Sequence, residues 1–304
     1  MEDYNKIIES LQIRFIKARN VSILKPVTIE NTYEVENHLI LVKSGEIRFG
    51  KEKERAGQGD VIFIPNGRHI SISYGSGNPT ILSKDDFLSN KDQFLKSFEG
   101  EPLAEEHYSY IAFDVKAFNS VNFFSSLDIP PFKLKKNHKL ANFIKNINYE
   151  ISGHVPGKDR IVKVFTENMT IELIRHILSN SLFVDKIATN STYFQDARLI
   201  KVFTYIKENL ANDLSNKVLA GVANVSEDYI SQYFKTLMGI NPQDYIEYQR
   251  MEAAVNLLRT SRDNVQDISK KVGYRDTAYF CRRFKMMFGI PAGKMRKRET
   301  LMNV

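Results

Sequence analysis

The residues best able to do chemistry lie in two ten-residue segments near the end of the chain. Ser226–Lys235 reads SEDYISQYFK and Asp276–Lys285 reads DTAYFCRRFK. They align without a gap at an offset of 50, with Tyr229 on Tyr279, Phe234 on Phe284, Lys235 on Lys285 and, just beyond, Gly239 on Gly289. At helical spacing, Tyr229, Ile230, Tyr233 and Phe234 turn to one side and Asp228, Ser231, Gln232 and Lys235 to the other. In the second segment Tyr279, Phe280 and Phe284 are expected to pack. That leaves Thr277, Ala278, Cys281, Arg282 and Lys285 outward. The outward set has the chemistry of base-edge readout. A guanidinium such as Arg282 donates two hydrogen bonds to guanine, and an amide such as Gln232 pairs the same way with adenine. Asp228 accepts from cytosine, and Ala278 and Cys281 offer apolar contact to a thymine methyl. For each, the alternative is a solvated helix residue that touches no base.

Such residues work only if something holds them. Ser226 and Asp276 are good helix N-caps. Upstream of each lies another helix, with Leu219-Ala220 running to Ala223-Asn224-Val225, and Ile268-Ser269 running to Val272-Gly273-Tyr274. Asn224 and Gly273 stand where the turn requires a left-handed residue, which these two types tolerate best. Each unit is therefore helix, tight turn, capped helix: a helix-turn-helix, present twice. Between them an amphipathic run starts at Pro242, a good first-turn residue, and continues to about Thr260. Its expected buried stripe is Tyr245, Met251, Ala254, Val255 and Leu258. About eighteen helical residues span ~27 Å, enough to hold two reading helices roughly one DNA turn, ~34 Å, apart.

Over 219–296 the chain resembles the DNA-binding domain of the AraC/XylS family of bacterial regulators. The resemblance is carried by Leu219-Ala220, Ser226, Tyr229-Ile230, Phe234-Lys235, Gly239, Pro242, Tyr245, Arg250, Ala254, Leu257-Leu258, Ile268, Val272-Gly273-Tyr274, Tyr279-Phe280, Arg282, Phe284-Lys285 and Gly289. It departs at Pro291 and Met295, where the family has Thr and Tyr. The resemblance implies base-reading positions at Asp228, Ser231, Gln232, Thr277, Ala278, Cys281 and Arg282. It also implies a double-stranded promoter DNA partner and activation through RNA polymerase, with repression the alternative sign. Lys235, Lys285 and Arg296 are the candidate phosphate contacts. Lys294, Arg296, Lys297 and Arg298 form a basic tail that touches phosphate or ends in solvent.

The first part of the chain alternates like strands at Leu11–Phe15, Glu46–Phe49 and Ile70–Tyr74. It runs continuously apolar at Leu39–Val42, Val61–Ile64 and Tyr110–Phe113, with Gly and Pro between. That pattern predicts a barrel or sandwich, and residues 76–106 read as loops with a short helix. Gly59-Asp60-Val61-Ile62-Phe63-Ile64-Pro65-Asn66-Gly67-Arg68-His69 resembles the second cupin motif, and Leu39–Glu46 the first. The resemblance implies a small β-barrel sensor. Phe49, Phe63, His69 and Tyr74 are candidates to line an effector pocket, or equally to be plain core. The usual metal-ligand positions hold Glu34 and Glu36, with His38 offset and His69 alone matching, so no metal and no cofactor are expected. Helical stripes follow at Leu140, Phe143, Ile144, Ile147 and Ile151, then at Ile161, Val164, Phe165, Ile171, Ile174 and Leu178. This pair, at 137–180, is the candidate homodimerisation element.

The expected fold class is α+β: a cupin-like barrel with a helical pair over 1–182, a linker at 183–195, and an all-α domain with two helix-turn-helix motifs over 196–304. Charge follows that division. From Gln195 onward there are 18 Lys/Arg against 12 Asp/Glu, while the rest of the chain has 25 against 24. The basic excess of the last third suits a polyanion. One cysteine, Cys281, excludes a disulfide framework and fits a reducing cytosol. No signal peptide or membrane-length apolar run is seen, so a cytoplasmic location is expected. Two rival readings remain open: a metal-dependent cupin enzyme fused to a DNA-binding module, and a non-specific architectural DNA-binding protein. No nucleophile elbow, phosphate loop or dinucleotide fingerprint supports any other enzyme.

Overall fold

The computed structural model describes residues 5, 8–117, 121–153, 155–184, 187, 196–238 and 240–296, and of 121, 197, 199 and 236–238 the backbone alone. The chain divides into two compact units. The first comprises Met1–Ala117, Asn122–Ser125 and Ile129–Asp185, and the second Phe118–Val121, Ser126–Asp128 and Lys186–Val304. Most of the expected linker, and Gly239, Lys297 and Arg298, lie outside the described residues.

The first unit is built on two sheets. One is seven-stranded. It orders β12 (Phe132–Leu134), β6 (Val61–Ile64), β3 (Asn37–Ser44), β10 (His107–Ala117), β1 (Leu11–Ile23) and β9 (Leu95–Phe98), with β11 (Val121–Asn122) beside β10. The other orders β5 (Glu54–Ala56), β4 (Ile47–Phe49), β7 (Arg68–Tyr74), β2 (Val27–Glu34) and β8 (Thr80–Leu82). Of the barrel or sandwich that the pattern predicts, the strands form two sheets that are not closed into a barrel. Their facing side chains make one core: Val21, Ile40, Val42, Ile62 and Ile64 from the first meet Val27, Ile47, Phe49, Ile70 and Ile72 from the second.

Strand parity explains the continuous apolar runs. Ile40, Val42, Ile62 and Ile64 face the other sheet, so Leu39, Leu41, Val61 and Phe63 face the opposite way. That side is covered too. Helices α3 (His138–Ser152) and α4 (Lys158–Ser179) pack on β1, and α3 also on β3 and β10. A strand buried on both faces reads as unbroken hydrophobics. Two shorter helices, α1 (Lys84–Asn90) and α2 (Phe123–Ser126), complete the unit, and residues 76–106, expected as loops, also supply β8 and β9.

The stripe predicted on α4 is shifted. Its buried residues are Val162, Thr166, Met169, Thr170, Leu173, Ile174 and Ile177, while Ile161 and Val164 are exposed. The reason lies in two threonines. Thr166 donates to the Val162 carbonyl at 2.7 Å and Thr170 to the Thr166 carbonyl at 2.8 Å. Each hydroxyl is satisfied within the helix and the remaining methyl packs like an apolar group.

The second unit is all helical: α5 (Ala197–Glu208), α6 (Asn216–Ala223), α7 (Glu227–Met238), α8 (Pro242–Thr260), α9 (Val265–Lys271) and α10 (Thr277–Phe288). Phe203, Phe234 and Tyr245 meet at ring-centroid distances of 5.1–5.7 Å, and Phe280, Phe284 and Phe288 follow one another along α10 at 5.6 and 4.4 Å, each ring tilted to the next. Each helix-turn-helix thus carries its own aromatic core, with α8 between them burying Tyr245, Met251, Ala254, Val255 and Leu258 as its spacing predicts. No helix among the described residues is long and apolar enough to cross a membrane.

Candidate nucleic-acid interface

Both units close their turns as the sequence requires. Asn224 ends α6 at φ 56°, and the amide of Val225 bonds back to the Ala220 carbonyl at 3.0 Å. Gly273 has φ 93°, and the amide of Tyr274 bonds to the Ser269 carbonyl at 2.9 Å. The caps then start the second helices: Ser226 accepts from the Tyr229 amide at 3.2 Å and Asp276 from the Ala278 amide at 2.8 Å.

These turns present two equivalent stripes. Asp228, Gln232 and Lys235 are exposed on α7, and Ala278, Arg282 and Lys285 on α10. In each helix the spacing is i, i+4, i+7, one face of a helix. The other predicted readers sit differently. Ser231 is half-buried and accepts a hydrogen bond from the Asn216 side chain at 2.9 Å, tying α7 to α6. Thr277 is half-buried, its hydroxyl 3.0 Å from that of Ser269, tying α10 to α9. Cys281 is also half-buried. Arg296 donates to the carbonyl of Asp263, which closes the C-terminal turn onto the loop before α9.

Two tyrosines correct the sequence expectation. Tyr229 is 40% exposed and Tyr279 46% exposed, whereas their spacing predicts that both pack. Each lies on the flank of its stripe beneath a cation. Arg198 of α5 donates to the Tyr229 hydroxyl at 3.1 Å, with its guanidinium 5.3 Å from the ring centroid. Arg282 of the stripe itself lies 6.0 Å from the Tyr279 centroid. Arg198 also forks onto Asp196 at 2.9 and 3.2 Å, a pairing that holds the Asp196 carboxyl below its ordinary range. The repeat offset itself could have flagged this pair: an aromatic repeated beside a polar stripe, one position off the core spacing.

What holds α7 and α10 in fixed relation is a second set of contacts along α8. Arg250 donates from Nε to the Leu210 carbonyl at 2.9 Å and from Nη2 to the Asn212 carbonyl at 3.0 Å. Its guanidinium lies 5.9 Å from the Tyr274 ring centroid. A side chain of the connecting helix therefore grips the loop before α6 and the turn before α10 at once. The close approach requires glycine at 273, where an added Cβ would fall 2.2 Å from the Leu210 carbonyl oxygen and 2.8 Å from the Arg250 guanidinium carbon. Glu247, one turn earlier, accepts a forked pair from Arg283 of α10 at 2.6 and 2.5 Å. That pairing raises the guanidinium's pKa.

The predicted effector set is not brought together. Phe49 is in the core between the sheets and Tyr74 packs against it, stacked on Tyr108 at 5.2 Å. Phe63 faces the opposite side and meets Phe113, Phe124 and Phe132. His69 is exposed, on the face of β7 opposite Ile70 and Ile72, with its ring edge-on to Tyr33 at 5.1 Å. His38 is 3.1 Å from the Glu34 carboxylate.

Residues 219–298 match the helix-turn-helix domain family. An HTH-type transcriptional regulator of Haemophilus influenzae is 27% identical over 263 residues, 86% of each chain. The lactose operon transcription activator of Staphylococcus xylosus is 29% identical over 99 residues, 33% of this chain and 36% of its own. Among solved structures, unsaturated-fatty-acid-bound ToxT of Vibrio cholerae superposes over 94% of this chain and 95% of its own with a TM-score of 0.54 at 10% identity. That likeness shows a shared fold, a sheet-rich part followed by a helical one.

Replacing Gly273 by alanine is expected to weaken the unit, since it forces both a strained φ and a backbone overlap. Urea unfolding followed by circular dichroism should show a loss above about 1 kcal/mol. An unchanged midpoint would mean that the Leu210–Arg250–Gly273 approach is not needed. The paired helix-turn-helix, the matched domain model and the HTH-type transcriptional regulators that the chain aligns with agree: residues 219–298 form a helix-turn-helix domain of the AraC type.

Proposed function

We propose that the protein is a sequence-specific regulator whose residues 196–304 set α7 and α10 into successive major grooves on one face of the duplex. The observation that carries this reading is the equivalence of the two exposed stripes on helices tied to one connecting helix. Recognition helices contact bases through exposed residues near their N-termini, which is where Asp228, Gln232, Ala278 and Arg282 lie. Lys235 and Lys285, one turn on, suit phosphate. Ser231, Thr277 and Cys281 are half-buried, so they act at the edge of the contact, and the first two also fix the angle between the paired helices. Arg296 holds the Asp263 loop through Nη2, and its remaining N–H groups suit phosphate.

Activation through RNA polymerase is part of the proposal, supported by the Staphylococcus xylosus relative, itself a transcription activator. Response to a small apolar effector is supported by the ToxT structure, which holds an unsaturated fatty acid. In this chain the candidate lining is Phe49, in the core between the sheets, and Tyr74, packed against that core. Such a ligand acts only by binding one of two arrangements better than the other. A homodimer through α3 and α4 is supported by Tyr149, Ile161 and Val164, exposed apolar side chains on that helix pair.

Selection of duplexes from a random pool at ~150 mM salt, where weak phosphate-only binding is suppressed, should return two half-sites about ten base pairs apart. Arg282→Ala should blur one position, at a cost of roughly 1–3 kcal/mol. Absence of any motif would favour the architectural reading instead. On the selected duplex, affinity should change when an unsaturated fatty acid is added, and equal affinity with and without it would remove the effector from the proposal. Sedimentation of the purified protein should report a dimer. A monomer would assign the exposed side chains of α3 and α4 another role.

A further inference from the structure

An open cleft of about 900 Å³ lies within the helical unit. One wall is the loop and helix start at Asp213, Ser215 and Asn216. The other is the end of α9 and the turn that follows it, with Lys270 and Arg275. Arg250 lines it as well. The cleft therefore runs between the two helix-turn-helix units. Each wall adjoins a reading helix: Asn216 is bonded to Ser231 of α7, and Arg275 directly precedes Asp276, the cap of α10.

Its charge is one-sided. Three cations, Arg250, Lys270 and Arg275, line it against one carboxylate, Asp213. Asp213 is turned to its own loop, accepting from the Ser215 amide at 2.9 Å and the Ser215 hydroxyl at 3.3 Å. Arg250 donates from Nε and Nη2 to carbonyls, and the Asp213 and Glu247 carboxylates are close enough to favour its charge, which leaves Lys270 and Arg275 as the cations that set the sign of the cleft. Lys270 and Arg275 are exposed, and among the described residues neither takes part in an ion pair. A cleft lined by one sign of charge raises the local concentration of the opposite one.

We propose that this cleft seats the DNA backbone between the two half-sites, with Lys270 and Arg275 as its phosphate-binding cations. The inference rests on the double-reader proposal above. When two helices enter successive major grooves from one face, the duplex between them turns its phosphates toward whatever joins the helices. Here the joining region is a positively lined depression. Contacts of this kind position the protein and carry no base information.

The test uses the full chain and the duplex recovered by selection. Each phosphate between the half-sites is replaced in turn by a neutral methylphosphonate. Binding is measured for the wild type and for a Lys270→Ala/Arg275→Ala double variant. For the wild type, affinity should drop several-fold at one or two central positions. In the double variant the same replacements should cost nothing further. Its salt dependence should be shallower by about 0.9 in slope for each phosphate it no longer neutralises, with the selected motif unaltered. The proposal is overturned if central replacements leave wild-type binding unchanged. It also fails if their cost is the same in both proteins. Failure to recover any preferred duplex would instead defeat the double-reader reading, at an earlier and separate step.

Discussion

The guanidinium of Arg250 is the point on which the helical unit turns. It sits half-buried between two carbonyls of the loop before α6 and the glycine turn before α10. Burial lowers its pKa, yet a guanidinium stays charged across any physiological range. The part of a charged group withdrawn from water must find acceptors within the protein. Those available here belong to the backbone of one helix-turn-helix, while the turn of the other closes over it. Neither loop can move without uncovering that charge. Lysine would not be an equivalent replacement, because its ammonium is a flexible point charge rather than the planar fork that meets these two carbonyls while lying against the Tyr274 ring.

The connecting helix therefore acts as more than a spacer. Glu247 holds α10 through Arg283, Arg250 holds both turns, and Tyr245 enters the aromatic core of the first helix-turn-helix. Three residues on one helix set the position of both α7 and α10. Rigid placement is what a double reader needs, since two sites on one duplex can be met together only if their separation is fixed in advance. The stripes of α7 and α10 differ in chemistry while matching in position. Asp228 and Gln232 face Ala278 and Arg282 across the repeat, so the two half-sites are expected to differ in sequence.

Much of the helical unit is legible in the sequence because its signals are local. Caps, left-handed turn residues and a repeat at constant offset need no knowledge of what lies across the fold. Tyr229 and Tyr279 mislead for the same reason. An aromatic at near-core spacing reads as core, and only the arrival of Arg198 from another helix, or of Arg282 from the next turn, shows why the ring can stay at the surface. The sheet-rich part is harder. Its strands are visible as apolar runs, but a run such as Val61–Ile64 does not say which of its residues face which layer. Sequence alone groups Phe63 with Phe49, although strand parity and the α3–α4 layer place them in different cores. On α4, threonines that satisfy their own hydroxyls move the buried stripe away from the isoleucines. β2 leaves no clear strand signal because the Glu30-Asn31 bulge, with Asn31 at φ 50°, breaks its alternation.

The central claim is that α7 and α10 read DNA as one rigid pair, and changing the spacing of the half-sites tests it most directly. Base pairs are inserted between the half-sites of the selected duplex, five in one series and ten in another. A rigid pair predicts that five pairs abolish specific binding by rotating one half-site to the far face. It further predicts that ten pairs do not restore it, because the face returns while the separation grows by ~34 Å, which α8 cannot span. Recovery of full affinity at ten pairs would contradict the account, and would place the two half-sites on separate chains or on loosely tethered helices.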